Sequence, residues 1–168
     1  MRDLIVTQNI TLDGVIDLAE GWFSPDDAAD AFLTGRVTFE QMRSYWPHRT
    51  DDPTGVSDYL NRVSKYVVST TIKDPGWEGT TVLRGPLSAD IGALKAAPGG
   101  GIVVTGSITL VHHLIAAGVV DEYRLFVYPV VVGRGARLFA DATGVPPLRL
   151  LETRAFRSGV VLLRYRAT

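Results

Sequence analysis

The sequence predicts an α/β fold on a largely parallel sheet, and three observations carry that reading. Short runs rich in Val, Ile and Leu recur along the chain, they alternate with helical or loop segments, and they are apolar throughout rather than at every second position. Continuous apolar runs mark strands buried on both faces, and helices between strands imply right-handed crossovers that leave the strands parallel. With 168 residues, 46% hydrophobic and 21% charged, the chain has the length and composition of one globular domain with a full core.

The elements follow in order. Leu4 to Val6 is the first strand-like run and Ala31 to Leu33 the second, after which Thr34-Gly35-Arg36 gives way to Val37 to Met42 with helical spacing. Ser57 to Val63 reads as a short helix, Tyr66 to Ser69 and Thr81 to Leu83 as strands, and Ala89 to Ala97 as a helix stopped by Pro98 and three glycines. Ile102 to Thr105 is the next strand and Ser107 to Ala117 the clearest helix. Its Ile108, Val111, Leu114 and Ile115 share one face, and Gly118 stands where a left-handed cap is expected. Tyr123 to Val127 is a strand inside the unusually apolar stretch Leu125 to Val132, which reads either as interior strand or as a subunit interface. Leu148 to Phe156 and Val160 to Arg166, joined through Ser158-Gly159, predict an antiparallel hairpin at one edge. No repeat, low-complexity tract or linker marks a domain boundary, so 1–168 is expected to be a single domain.

Charge and composition narrow the partners. Lys plus Arg number 17 against 18 Asp plus Glu, so there is no basic surplus to drive binding to nucleic acid. Cysteine is absent, which excludes disulfides and thiolate metal sites, and no signal-like apolar region opens the chain. A cytoplasmic location is expected. The apolar runs fall short of the roughly 20 residues that cross a bilayer, so no membrane partner is expected either.

In open α/β sheets the ligand lies outside the carboxyl ends of the strands, where the first N–H groups of helices favour anions. Three seams of that kind stand out: Gly35-Arg36-Val37-Thr38, Val68-Ser69-Thr70-Thr71 and Gly106-Ser107-Ile108-Thr109. Glycine permits close backbone approach, arginine offers a fork for phosphate, and the hydroxyls add donors. Each seam has a plainer reading, with the glycines serving turns, Ser107 a helix cap and Arg36 a surface ion pair. Together they suit a nucleotide with several phosphates. Neither GxxxxGK[ST] nor a GxGxxG after the first strand is present, so the anion site belongs to another type.

Gly35-Arg36-Val37-Thr38-Phe39-Glu40 resembles the NADPH-binding seam of the dihydrofolate reductase family. The wider pattern is similar to the bacterial branch related to the C-terminal reductase domain of the riboflavin-biosynthesis protein RibD. It comprises Ile10-Thr11-Leu12-Asp13-Gly14, Tyr45-Trp46-Pro47, Lys65 to Ser69, Val104 to Ser107, Val120 to Leu125, Pro129 to Gly133 and Ser158 to Val161, in order over nearly the whole chain. The resemblance implies a three-layer α/β/α fold, NADPH as cofactor, a small heterocyclic or carbonyl substrate and a homodimer. It implies that Arg36 and Thr38, with Ser69 and Thr70, meet the adenosine 2'-phosphate, while Gly106, Ser107, Ile108 and Thr109 meet the pyrophosphate, beside Gly35. Thr7, Gln8, Asp13, Gly14 and Val15 would lie near the nicotinamide.

Trp22, Pro25 and Asp27 have the spacing of the dihydrofolate reductase segment that carries the substrate-binding carboxylate, which makes Asp27 a candidate proton relay and Trp22 a substrate contact. The alternative for Asp26 and Asp27 is a helix N-terminus whose dipole they suit. Asp13 is a second catalytic candidate or, alternatively, a turn-fixing side chain. Trp46 is read as a substrate contact or a packing anchor. Relatives carry a full helix between Trp22 and the second strand, whereas Phe23 to Asp30 is too short for one. That departure keeps open a non-catalytic NADPH-binding or dimeric sensor. His112 and His113 are adjacent and read as solvated polarity rather than a metal site, and Gly133-Arg134-Gly135-Ala136-Arg137 reads as a turn or bulge with anion binding as its alternative. No HxE or CxxC of a zinc deaminase appears.

Overall fold

The computed structural model describes residues 1–17, 29–139 and 144–168. In chain order the elements are β1 (Leu4–Thr11), β2 (Ala29–Gly35), α1 (Arg36–Tyr45), α2 (Val56–Arg62), β3 (Ser64–Val68), β4 (Thr80–Leu83), α3 (Leu87–Ala96), β5 (Gly101–Val104), α4 (Ile108–Ala116), β6 (Glu122–Tyr128), β7 (Leu148–Ala155) and β8 (Val161–Ala167). The eight strands form one sheet in the order β4-β3-β2-β5-β1-β6-β8-β7. β1 to β6 are parallel, and β8 and β7 close one edge as an antiparallel hairpin. The predicted fold class is the one observed.

Strand β1 runs further than its apolar start suggests. Thr7, Gln8 and Asn9 continue the ladder against Arg124, Leu125 and Phe126 of β6. Backbone pairing does not depend on side-chain polarity, so a strand extends through polar residues wherever those side chains find partners.

Because successive side chains alternate between faces, the sheet builds a core on each side. Leu4, Val6, Leu33, Ile102 and Val104 pack with Ile91 and Leu94 of α3 and with Leu110, Val111, Leu114 and Ile115 of α4. On the other face Ile5, Phe32, Val67 and Val103 meet Phe39 of α1 and Tyr59 and Leu60 of α2. The apolar face expected of α4 is therefore buried. It ends as predicted: Gly118 has φ +64, its N–H donates to the Ile115 carbonyl at 3.0 Å, and Val119 N–H reaches the Leu114 carbonyl at 3.3 Å. These are the two bonds of a left-handed C-terminal cap.

Two buried charges are held by full partnership. Lys65 is 1% exposed, and its Nζ donates to the Leu60 and Val63 carbonyls at 2.7 and 3.0 Å at the end of α2 while lying over the Trp77 ring. Burial pushes its pKa below the usual lysine value. Glu122 accepts from Arg124 Nε at 2.7 Å and Arg164 Nε at 2.9 Å, tying β6 to β8. Such a group is tolerated in a core because its lone pairs are satisfied.

The apolar stretch Leu125 to Val132 divides in two. Leu125 is buried and Val127 packs against the core, whereas Val130, Val131 and Val132 are 45%, 71% and 43% exposed, close to the 64% exposed Leu12 whose N–H donates to the Val130 carbonyl. Among the described residues no helix is long and apolar enough to cross a membrane.

Candidate functional site

The carboxyl ends of β2 and β5 lie side by side, Leu33 opposite Val104, and the turn that leaves β5 is the most constrained backbone at that edge. Gly106 has φ +59, and Ser107, the one described non-glycine residue with positive φ, has φ +46. A left-handed non-glycine residue costs about 1–2 kcal/mol, so the turn persists only where its surroundings fix it. They do so through four side chains. Thr38 Oγ1 accepts the Ser107 N–H at 3.2 Å, Gln8 Nε2 donates to the Gly106 carbonyl at 2.9 Å, and Ser107 Oγ accepts the Gly35 N–H at 3.0 Å. The Thr34 hydroxyl lies 3.1 Å from Ser107 Oγ and donates to the Gly35 carbonyl, so the Ser107 proton goes to Thr34.

This network corrects two expectations. Ser107 is not a side-chain cap of α4, because its hydroxyl is engaged in joining the ends of β2 and β5. Thr38 sits against Gly106, whose added Cβ would meet Thr38 Cγ2 at 3.5 Å, and so belongs to the Gly106–Ser107 turn rather than to the group around Arg36. Two residues apart on a helix, Arg36 and Thr38 point in nearly opposite directions. The turn leaves the first N–H groups of α4, at Ile108 and Thr109, at the carboxyl edge where anions are favoured.

The first and second sheet seams, with Arg84 and Gly85 after β4, form an open cleft of about 320 Å³ lined by Arg36, Ser69, Thr70, Thr71, Arg84 and Gly85. It lies across the ends of β2, β3 and β4. Ser69 is buried, its Oγ accepting the N–H groups of Thr71 and Ile72 at 3.1 Å each, which folds the turn so that Thr70 and Thr71 are exposed. Arg36 pairs with Glu40 one helical turn along, at 3.0 Å. Arg84 donates to the Ile72 carbonyl. Sequence reasoning missed Arg84; its signal was the Arg84-Gly85 pair directly after the strand Thr81 to Leu83, a fourth seam of the same kind.

The remaining predicted residues scatter. Thr7 is half-buried in mid-β1. Val15 is fully buried, with its N–H on Thr11 Oγ1 at 3.0 Å, and a Cβ on Gly135 would meet its Cγ1 at 3.0 Å, so its side chain packs under the following loop rather than facing a cleft. Gly14 belongs to the turn closed by its N–H on the Thr11 carbonyl. Asp13 has the turn-fixing geometry: it accepts the Thr11 hydroxyl at 2.6 Å and the Gly133 and Val132 N–H groups at 2.7 and 3.3 Å. Those donors, the Thr11 hydroxyl first, hold its pKa down at about 2. The Gly133 N–H at the start of the 133–137 loop is thereby turned toward the protein's own carboxylate. Trp46 caps the far end of α1 from Arg36, roughly 15 Å along the axis, packed against the core and edge-on to Tyr45. His112 engages the Arg137 carbonyl at 2.7 Å. Trp22 and Asp27, with most of the 23–30 segment, lie outside the described residues.

Comparison with known proteins places the fold in a family. The family model of the RibD C-terminal domain matches residues 2–162. The uncharacterized protein YyaP of Bacillus subtilis is 32% identical over 98% of this chain and 94% of its own length. A putative riboflavin biosynthesis protein from Shewanella superposes with a TM-score of 0.73 at 18% identity, covering 99% of both chains. A deaminase/5-amino-6-(5-phosphoribosylamino)uracil reductase from Thermotoga maritima gives 0.66 at 15% identity over 99% of this chain and 57% of its own. The chain belongs to the RibD C-terminal domain family.

Proposed function

We propose that this member of the RibD C-terminal domain family is an NADPH-dependent reductase of a small heterocyclic or carbonyl substrate. A ribosylaminopyrimidine of riboflavin synthesis is the nearest substrate class and dihydrofolate the next. The observation that carries the reading is the cleft of Arg36, Ser69, Thr70, Thr71 and Arg84 beside the braced Gly106–Ser107 turn. Its donor set fits the cofactor. Two guanidiniums and exposed hydroxyls suit a phosphomonoester, and among the described residues no carboxylate lines the cleft. A glycine with φ +59 at the opening of α4 suits a pyrophosphate that must come close to backbone.

When bound, NADPH supplies the hydride. The chain's own residues bind and orient. Arg36 and the Ser69–Thr71 turn hold the 2'-phosphate. Gly106, Ile108 and Thr109 offer backbone groups to the pyrophosphate, with Thr38, Gln8, Gly35 and Ser107 fixing that backbone in place, and Thr7 and Gly14 lie toward the nicotinamide. Asp13, ionised at neutral pH and engaged by three donors, orients the loop after β6 and is no proton donor. Asp27 remains the proposed proton relay. Two copies are proposed to pair through the exposed Leu12 and Val130–Val132 surface.

The competing reading is a sensor that binds NADPH without turning substrate over. It gains support from β2 beginning at Ala29, two residues earlier than the apolar run suggests, which shortens the chain left to wall a substrate cleft. Fluorescence titration with NADPH and NADH, followed by the loss of NADPH absorbance against dihydrofolate, pyrimidine and quinone substrates, separates the readings. Selective NADPH binding with turnover supports the reductase. Binding without turnover on any of them supports the sensor, and equal affinity for the two dinucleotides removes the 2'-phosphate clamp.

A further inference from the structure

We infer that Arg84 is the principal determinant of preference for the 2'-phosphorylated cofactor, ahead of the Arg36 that the sequence pattern singles out. The inference rests on the proposed reading of the Arg36–Arg84 cleft as a 2'-phosphate site, and it concerns how the two guanidiniums divide the work there.

They are not equivalent. Arg36 lies on the first turn of α1 with its side chain 48% exposed, and Glu40 already engages it at 3.0 Å. An incoming phosphate has to compete with that carboxylate for Arg36, and solvent screens what remains. Among the described residues no carboxylate pairs with Arg84. It follows the edge strand β4, and the group that engages it is the neutral Ile72 carbonyl. That carbonyl belongs to the turn presenting Thr70 and Thr71, so the guanidinium is anchored on the wall of the cleft with donors left for a ligand. Its backbone is fixed too: Gly85 N–H donates to Asp90 Oδ2 at 2.9 Å, and this carboxylate is committed there.

Charge matching points the same way. A phosphomonoester carries about −1.5 to −2 at neutral pH. One guanidinium shared with Glu40 leaves that charge poorly matched, and a second that stands on the opposite wall completes it. Both arginines are exposed, but Arg84 meets the phosphate from an anchor on a neutral carbonyl, whereas Arg36 meets it from a carboxylate that the phosphate has to displace.

The test compares NADPH with NADH, and 2',5'-ADP with 5'-AMP, by calorimetric titration of the full-length protein and of Arg84→Ala, Arg84→Lys, Arg36→Ala and Glu40→Gln. Arg84→Ala is expected to lower the NADPH-to-NADH affinity ratio roughly ten- to hundred-fold with NADH affinity unchanged, Arg84→Lys to keep part of it, and Arg36→Ala to lower it roughly three- to ten-fold. Glu40→Gln is expected to raise NADPH affinity a few-fold. A merely structural Arg84 would weaken both dinucleotides together, and that result overturns the inference, as does a larger loss from Arg36→Ala. Wild-type preference that survives Arg84→Ala overturns it while sparing the cofactor reading. Equal wild-type affinity for the two dinucleotides overturns both.

Discussion

Thr38→Val removes one hydroxyl from α1 with almost no change of shape, and its consequences follow from a single bond. The Ser107 N–H loses its acceptor at 3.2 Å. An amide left without a partner at a partly buried position costs about 1–2 kcal/mol, and the left-handed Ser107 backbone that the bond helps to hold is itself strained. For a chain of this size each kcal/mol moves Tm by about 2–4 °C, so scanning calorimetry should show a fall of roughly 2–8 °C. Because the loosened turn opens α4, where the pyrophosphate is proposed to lie, NADPH and NADH should both weaken by the same factor, roughly five- to thirty-fold at this free energy. Their ratio should stay constant in fluorescence titration. An unchanged Tm with unchanged affinities would refute the bracing role, and a loss confined to NADPH would return Thr38 to the 2'-phosphate site.

Leu114→Ala empties a fully buried position beneath α4 and should cost roughly 2–5 kcal/mol in urea unfolding; a loss well under 1 kcal/mol would mean that the helix is not seated as described. Asp13→Asn tests the loop clasp through pH. The folded carboxyl titrates near 2 against 3.8 for the free group, so its contribution is fully present above about pH 5 and disappears as pH falls through the folded value. The stability gap between wild type and Asp13→Asn should accordingly be constant near neutrality and close on acidification, and a gap that widens in acid contradicts the assignment. Lys65→Met leaves the Leu60 and Val63 carbonyls without their buried donor, which should destabilise by roughly 2–4 kcal/mol in the same unfolding assay, with α2 losing amide-exchange protection first. Val131→Asp, on the most exposed valine of the proposed pairing surface, should shift the protein from dimer to monomer in sedimentation; an unshifted dimer places the contact elsewhere.

Much of the fold was legible because burial writes itself into composition. Leu4 to Val6, Ile102 to Val104 and the spaced apolar residues of α4 pack into the two cores, and apolar residues meet that demand best. The strand ends were less legible. Thr7, Gln8 and Asn9 carry no strand signature, yet they pair with β6, since their ladder is set by the neighbour and not by their own side chains. The seams were found through glycine next to hydroxyls and arginine, and Thr38 bonds into a different seam from the one it was read with. Residue spacing shows which side chains are near in the chain, whereas Thr38 and Arg36 diverge around a helix while Thr38 and Gly106 converge from different elements. Arg84 escaped notice although the strand before it is legible, because Arg84-Gly85-Pro86 lacks the hydroxyl residues that marked the other seams.

Polar residues inside apolar strands prove to be the more telling feature of this edge. Gln8 and Thr34 are 3% and 1% exposed, positions where an isoleucine or valine would pack without a desolvation cost. Each is retained against that cost, and each bonds the Gly35 or Gly106 backbone. The buried polar groups thus fix two glycine-containing turns at which a ligand's phosphates are proposed to approach. The groups proposed to touch it, Arg36, Thr70, Thr71 and Arg84, are exposed and answer to solvent as well as to each other. Substitutions in the first set should therefore change stability and dinucleotide affinity together, and substitutions in the second should change cofactor choice with little change in stability. A variant of Gln8 that altered the NADPH-to-NADH ratio at wild-type Tm would break that division.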